Sequence, residues 1–325
     1  MTVLITRATS RLHRHGRLAL LQAALLAAAG TATAAAQTPA VPVAPPPSQI
    51  NAAVGTGSKF QPPPESAIPN NDFGKMVRLG RDIMVDTPKY AKAYVGNSLS
   101  CVNCHTDGGR MAGSAPMWAA YVSYPAYRAK NKKVNTFEER LQGCFMYSEN
   151  GKAPPLGSEP LVALESYAYW LSTGLPVDEK TPGRGYPALA KAAQAPDYVR
   201  GQKVYAQSCA ICHGADGQGQ YVEGKTVFPP LWGDKSFNWG AGMGSIKSAA
   251  EFIHANMPYG QSYSLTPQQA WDVAYFMDAQ ERPQDPRWTG TVAGTRAKYH
   301  DSKFSLYGTK VNGKLLGDTG APKAR

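Results

Sequence analysis

Two stretches of this chain set the same residue types at the same spacing: Cys101-Val102-Asn103-Cys104-His105 and Cys209-Ala210-Ile211-Cys212-His213. Two thiols about one helical turn apart can each form a thioether with one vinyl group of a porphyrin, and the imidazole that follows then lies under its iron. The pattern predicts two covalently attached haem c groups, one on Cys101, Cys104 and His105, the other on Cys209, Cys212 and His213. Two other chemistries use paired cysteines. The knuckles of a four-cysteine zinc ribbon sit roughly 15–20 residues apart, whereas these pairs are more than a hundred apart. A thioredoxin-like pair needs a βαβ setting that neither stretch has, and neither alternative explains a histidine in the same place twice.

The chain has five cysteines, which leaves Cys144 over. An internal repeat gives it a role. Met257 lies 44 residues after His213, and Cys144 lies 39 after His105. Each follows a helix start and precedes a Pro/Gly break and a closing helix. Class I cytochromes c place their sixth iron ligand at this point. The repeat assigns His213 and Met257 to the second iron, with Met243 and His254 as rivals. It assigns His105 and Cys144 to the first, with Met111, Met117 and Met146 left open and a bis-histidine site possible only by recruiting His254 or His300 from elsewhere. A thioether raises the reduction potential, whereas a thiolate lowers it and leaves a nucleophilic sulfur at the metal. A sulfur-processing enzyme needs such a ligand; an electron carrier has no evident need for one.

The elements that must position these residues are mostly helical. Asn71 or Asp72 caps a helix through Phe73, Met76, Val77, Gly80, Ile83 and Met84. Thr136-Phe137-Glu138-Glu139 is a capping box for a short helix reaching Cys144, and a helix over about 160–173 closes that half. In the second half Gly201 and Tyr205 occupy the places of Gly80 and Met84, and each glycine is expected where the first helix crosses the last. Ser248-Ala249-Ala250-Glu251 reads as a capping box for the helix ending at Met257, and Thr266-Pro267-Gln268-Gln269 as another for the closing helix.

The expected architecture is two class I cytochrome c domains in tandem, residues 68–176 and 197–282, joined by an irregular linker over 177–196. A C-terminal tail, 283–325, packs on them. Residues 1–36 read as a signal peptide, with Arg7, Arg11, Arg14 and Arg17 before a short apolar run and a small-residue cleavage site, and 37–67 as a Pro/Ala-rich tether. No later stretch is long and apolar enough to span a bilayer. The expected location is a bacterial periplasm, in soluble form. The full chain has 34 basic and 23 acidic side chains; without residues 1–36, which hold four arginines and no acid, 30 basic side chains remain and the net charge is +7. Four haem propionates reduce it further, so nothing points to nucleic acid.

The chain resembles the dihaem thiosulfate dehydrogenases, the tetrathionate-forming type. The matching text includes Val95-Gly96-Asn97, the tract from Tyr124-Pro125 through Gly143-Cys144-Phe145, Ser148 with Asn150-Gly151, and Tyr169-Trp170-Leu171. It continues with Phe228-Pro229-Pro230-Leu231-Trp232-Gly233, Asn256-Met257-Pro258 and Arg282-Pro283-Gln284-Asp285-Pro286-Arg287. The resemblance implies oxidation of two thiosulfates to tetrathionate, with Cys144 as ligand and covalent catalyst at the first haem. The second haem then passes electrons to another cytochrome c or a terminal oxidase. The same catalyst run backwards is a tetrathionate reductase, and a dihaem carrier subunit is the non-catalytic alternative.

Two dianions repel, so their pocket needs cations and donors. Arg128, Lys130, Arg140 and Lys152 are near Cys144 in sequence, and Arg128 and Ser148 are the preferred anion contacts. Glu149 departs from the family pattern by putting a carboxylate near an anion site, and an outward, solvated orientation is expected for it. Asn256 stands where some relatives have a lysine that can replace the methionine ligand.

Overall fold

The computed structural model describes residues 60–177, 180–223 and 225–323. The expected leader and most of the Pro/Ala-rich tether lie outside them. The described chain forms two helical units built on one plan, followed by an extension.

The first unit runs from α1 (Asp72–Val85) through the first cysteine motif, a hairpin of β1 (Ala126–Arg128) and β2 (Lys133–Asn135), α2 (Phe137–Gly143) and α3 (Glu159–Leu171). The second runs from α4 (Tyr198–Ser208) through the second motif, a hairpin of β3 (Gln220–Val222) and β4 (Lys225–Phe228), α5 (Ile246–Asn256) and α6 (Pro267–Asp278). The extension holds α7 (Val292–Tyr299) and a hairpin of β5 (Lys310–Val311) and β6 (Lys314–Leu315).

Capping chemistry sets most helix starts. The Asn71 side chain accepts from Gly74 N at 2.9 Å. Reciprocal boxes form at Thr136/Glu139 and Thr266/Gln269. The expected box at Ser248/Glu251 does not form. α5 starts three residues earlier, after Ser245, and Glu251 is drawn to Lys247 at 2.5 Å instead. The cause is tertiary: Ser245 bridges to Ser305, and Ile246 N donates to Phe304 O at 3.0 Å, so the extension fixes where α5 begins.

In each unit the first helix crosses the last at a glycine. A Cβ on Gly80 would lie 2.0 Å from Ala163 O, and one on Gly201 would lie 2.0 Å from Asp272 O. Only a residue without a side chain allows these approaches. The two cores are separate clusters, one around Trp118, Leu161, Leu164 and Tyr167, the other around Trp239, Ala249, Ala274 and Tyr307.

Three connecting stretches are tied down more firmly than their composition suggests. At the end of the tether, Phe60 packs on Trp118 with ring centroids 5.0 Å apart, and Arg110 donates to the carbonyls of Pro62 and Pro63. The irregular stretch between the units is a strap. Gly183 and Gly185 accept from Gly113 N and Ala115 N at 2.7 and 2.8 Å, and Tyr186 packs on Phe252. The extension belongs to the second core, into which it sends Leu306, Tyr307, Val311 and Leu316. At its root Asp285 is buried against His300 (2.9 Å) and Arg287 (2.6 Å). Burial opposes the charge on Asp285, but these hydrogen bonds overcome it and hold the carboxyl well below its usual range.

Two outcomes follow for stability. Gly201→Ala forces a Cβ into a helix backbone and should cost about 1–3 kcal/mol. Gly242→Ala, with open space around it, should stay within about 0.5 kcal/mol; chemical unfolding of the two variants compares them. For Asp285 the folded pKa lies below the unfolded one, so its stabilisation is present above the unfolded value and lost as pH falls through the folded one. Asp285→Asn should therefore destabilise by about 3 kcal/mol at neutral pH, with the gap closing below about pH 4.

Candidate functional site

One continuous cavity is lined by both cysteine motifs. Cys101, Cys104 and His105 stand on one part of its wall with Cys144, Ser148 and Glu149, and Cys209, Cys212 and His213 on another with Met243 and Met257. The rest of the wall is mainly apolar, including Met84, Leu141, Phe145, Leu231, Phe237 and Phe252. Among the described residues, no cluster of three or more His, Cys, Asp or Glu gathers to hold a bare metal ion, so the two cysteine pairs do not converge on a zinc site.

Both imidazoles are fixed through Nδ1. His105 Nδ1 lies 2.6 Å from Ala115 O and His213 Nδ1 lies 2.9 Å from Pro229 O. A carbonyl can only accept, so Nδ1 carries the proton in each ring and Nε2 keeps its lone pair. Burial pushes His105 down to about 4 and lowers His213, which keeps both rings neutral. The Ala115 carbonyl is itself aimed by the strap, through Ala115 N to Gly185 O. Burial also raises the motif thiols, Cys104 and Cys209 to about 12. Neutral thiols opposite apolar walls, beside neutral imidazoles with a free lone pair, fit covalent haem.

Cys144 sits where α2 gives way to a π-helical turn over Cys144–Ser148. Single π turns inside helices recur at functional sites because they rotate side chains off the regular face. Arg140, four residues earlier on the same face, donates from Nη1 to Cys144 Sγ at 3.0 Å. The facing sulfur is the chief reason the Arg140 guanidinium titrates above its ordinary value. The turn is clamped from both units. Asn238 of the second unit donates to Met146 O (2.8 Å) and Asn150 Oδ1 (3.0 Å). Asn97 bridges Ser148 O (2.9 Å) and Ser236 O (3.2 Å). Gly151 is required by closeness: a Cβ there would lie 1.9 Å from Tyr94 O.

The sequence-derived candidates divide. Cys144 and Ser148 line the cavity with His105. Arg128 does not: it stands on β1 with its guanidinium 5.9 Å from the Tyr124 ring centre, and Arg140 takes the place beside the sulfur. The spacing of four between Arg140 and Cys144 was the available signal. Met257 is on the wall at the end of α5, its rival Met243 is on the wall in the turn before α5, and His254 faces Tyr263. Met117 also lines the wall near the first motif; Met111 and Met146 do not. Glu149 is the clearest departure from expectation. It is 2 % exposed, lines the cavity, and has one oxygen without a hydrogen-bond partner. Burial holds its carboxyl well above the usual range, which disfavours the charged form at the site. Asn238 could not be found from sequence, because its role exists only once the two units meet.

Two family models match the chain: the SoxA/TsdA cytochrome c domain over residues 88–177, and cytochrome c over residues 198–281. The thiosulfate dehydrogenase of Thiomonas intermedia is 78% identical over 95% of this chain and 97% of its own length. The chain belongs to the thiosulfate dehydrogenase family. The corresponding enzyme of Stutzerimonas stutzeri is 52% identical over 83% of this chain and 90% of its own length. The solved "as isolated" form of the thiosulfate dehydrogenase TsdBA of Marichromatium purpuratum matches with a TM-score of 0.78 and 49% identity, over 81% of this chain. This chain spans 58% of that longer one. The protein is thus an enzyme of two cytochrome c domains in tandem with two covalently bound c-type haems.

The attachment residues are open to direct test. Intact-mass spectrometry of the denatured mature chain should show two haems, and a Cys209→Ala/Cys212→Ala variant should retain one. Retention of both would place the second attachment elsewhere.

Proposed function

We propose that this chain oxidises two thiosulfates to one tetrathionate at Cys144, in the periplasm, after removal of an N-terminal signal peptide. The two electrons pass to a downstream cytochrome c or terminal oxidase. The observation that carries this reading is the 3.0 Å contact from Arg140 to Cys144 on a wall shared with His105. We assign Cys101, Cys104, His105 and Cys144 to the first haem, and Cys209, Cys212, His213 and Met257 to the second. The haems supply two one-electron sinks, and the methionine-ligated one is suited to the higher potential.

The chain's own residues account for the rest. Arg140 donates a hydrogen bond to the Cys144 sulfur and screens an approaching dianion. In the first half-reaction the Cys144 sulfur and the outer sulfur of one thiosulfate form an S–S bond with loss of two electrons, leaving a cysteine S-thiosulfonate. In the second, the outer sulfur of another thiosulfate attacks the sulfur bonded to Cys144. That bond breaks, its electron pair returns to Cys144 as thiolate, and tetrathionate leaves. No proton is consumed or released. The burial that disfavours charge on Glu149 suits this chemistry, since an ionised carboxylate on the same wall would repel both dianions. Ser148, one turn beyond Cys144, is the hydroxyl we assign to the sulfonate oxygens.

Cys144→Gly should abolish thiosulfate-dependent reduction of a soluble acceptor by the purified holoenzyme. Arg140→Gln should lower kcat/KM by roughly 100-fold, the usual cost of losing one charged donor at a reacting centre. Full activity in Cys144→Gly would end the reading.

A further inference from the structure

A second cleft, of about 350 Å³, opens between the turn of the β1–β2 hairpin and the C-terminal extension. Its lining is Lys130, Asn131, Lys132, Arg287, Lys298 and Tyr299: three lysines, an arginine, an amide and a phenol, with no carboxylate among them. Gathering like charges costs Coulomb energy that nothing in the lining repays. Lys130 shows the cost. Its ammonium lies 4.6 Å from the centre of the Tyr147 ring and donates to Gly240 O, and burial, then Arg287 and Arg140, push it down to about 7. Arg287 is held between the Tyr147 and Tyr299 rings, at 4.9 and 4.3 Å, and is anchored by Asp285. A rigid, planar cation beside flexible lysines, with amide and phenol donors, is a set that fits a multivalent oxyanion.

Tyr147 ties this cleft to the reacting sulfur. It belongs to the π turn that starts at Cys144, and its ring carries both Lys130 and Arg287. Two of the residues that line the cleft therefore pack on a side chain of the turn that presents Cys144. We propose that the cleft is a second anion subsite, which holds a thiosulfate dianion before it reaches Cys144. This rests on the reading of thiosulfate as substrate. The subsite answers a need of that chemistry: the second dianion must approach a cysteine that already bears a sulfonate, and a cationic antechamber raises its local concentration without crowding both anions against Arg140. The C-terminal extension supplies half of the site, which gives its buried anchor at Asp285 a functional consequence.

The test uses Lys132→Gln/Lys298→Gln, two exposed lysines on different elements, with unchanged haem absorbance as the check on folding. Equilibrium dialysis of ³⁵S-thiosulfate against the Cys144→Gly holoenzyme, which cannot turn it over, measures binding alone. Adding the two lysine substitutions should weaken binding at least tenfold, and Lys132→Arg/Lys298→Arg should restore it. In the enzyme with Cys144 intact, the glutamine pair should lower kcat/KM about tenfold through KM and flatten its dependence on ionic strength. Unchanged binding together with unchanged KM would overturn the subsite and leave the role of Cys144 standing. Binding lost in the glutamine pair, but with no thiosulfate oxidation by the unmodified enzyme, would keep the subsite and remove the catalytic reading.

Discussion

A guanidinium and a cysteine sulfur 3.0 Å apart are the contact on which the rest of this structure depends. The Arg140 guanidinium titrates above its ordinary value chiefly because it faces the Cys144 sulfur. The fold therefore has to keep Arg140 and Cys144 on one face, and it does so with a short helix whose start is locked by a reciprocal cap and whose end is turned by a single π turn. The remaining groups nearby avoid competing with that charge. The motif thiols are raised by burial, the imidazole of His105 is neutral, and burial raises the Glu149 carboxyl as well.

The second constraint is that the reactive turn is not finished by its own unit. Asn238 reaches across to Met146 and Asn150, Asn97 reaches the other way to Ser236, and the strap aims the carbonyl that orients His105. The two units thus act as a single body around one cavity. The extension continues this logic. It decides where α5 begins, and α5 ends at Met257 on the cavity wall.

Much of this was legible in the sequence where local rules apply. Paired cysteines with a following histidine, two of three proposed capping boxes, and two glycines at helix crossings each depend on residues close in the chain or on a repeated plan. The failures have a common cause. Ser248 looked like a cap because the strand-like bridge from Ser305 to Ser245 is invisible in sequence. Glu149 looked solvated because its burial is made by packing. Arg140, not Arg128, meets the sulfur because α2 presents it on the face that Cys144 continues, whereas pairing in the β1–β2 hairpin holds Arg128 elsewhere. Asn238 carries no motif at all; its meaning lies in a contact 88 residues away.

The most direct test of the central claim is peptide mass mapping after a half-reaction. The oxidised holoenzyme is mixed with less than one equivalent of thiosulfate, with oxidised acceptor in excess, and quenched in acid. The account predicts a thiosulfonate adduct on Cys144 that disappears, with release of tetrathionate, when more thiosulfate is added. Consumption of thiosulfate with Cys144 recovered unmodified at every stage would contradict it.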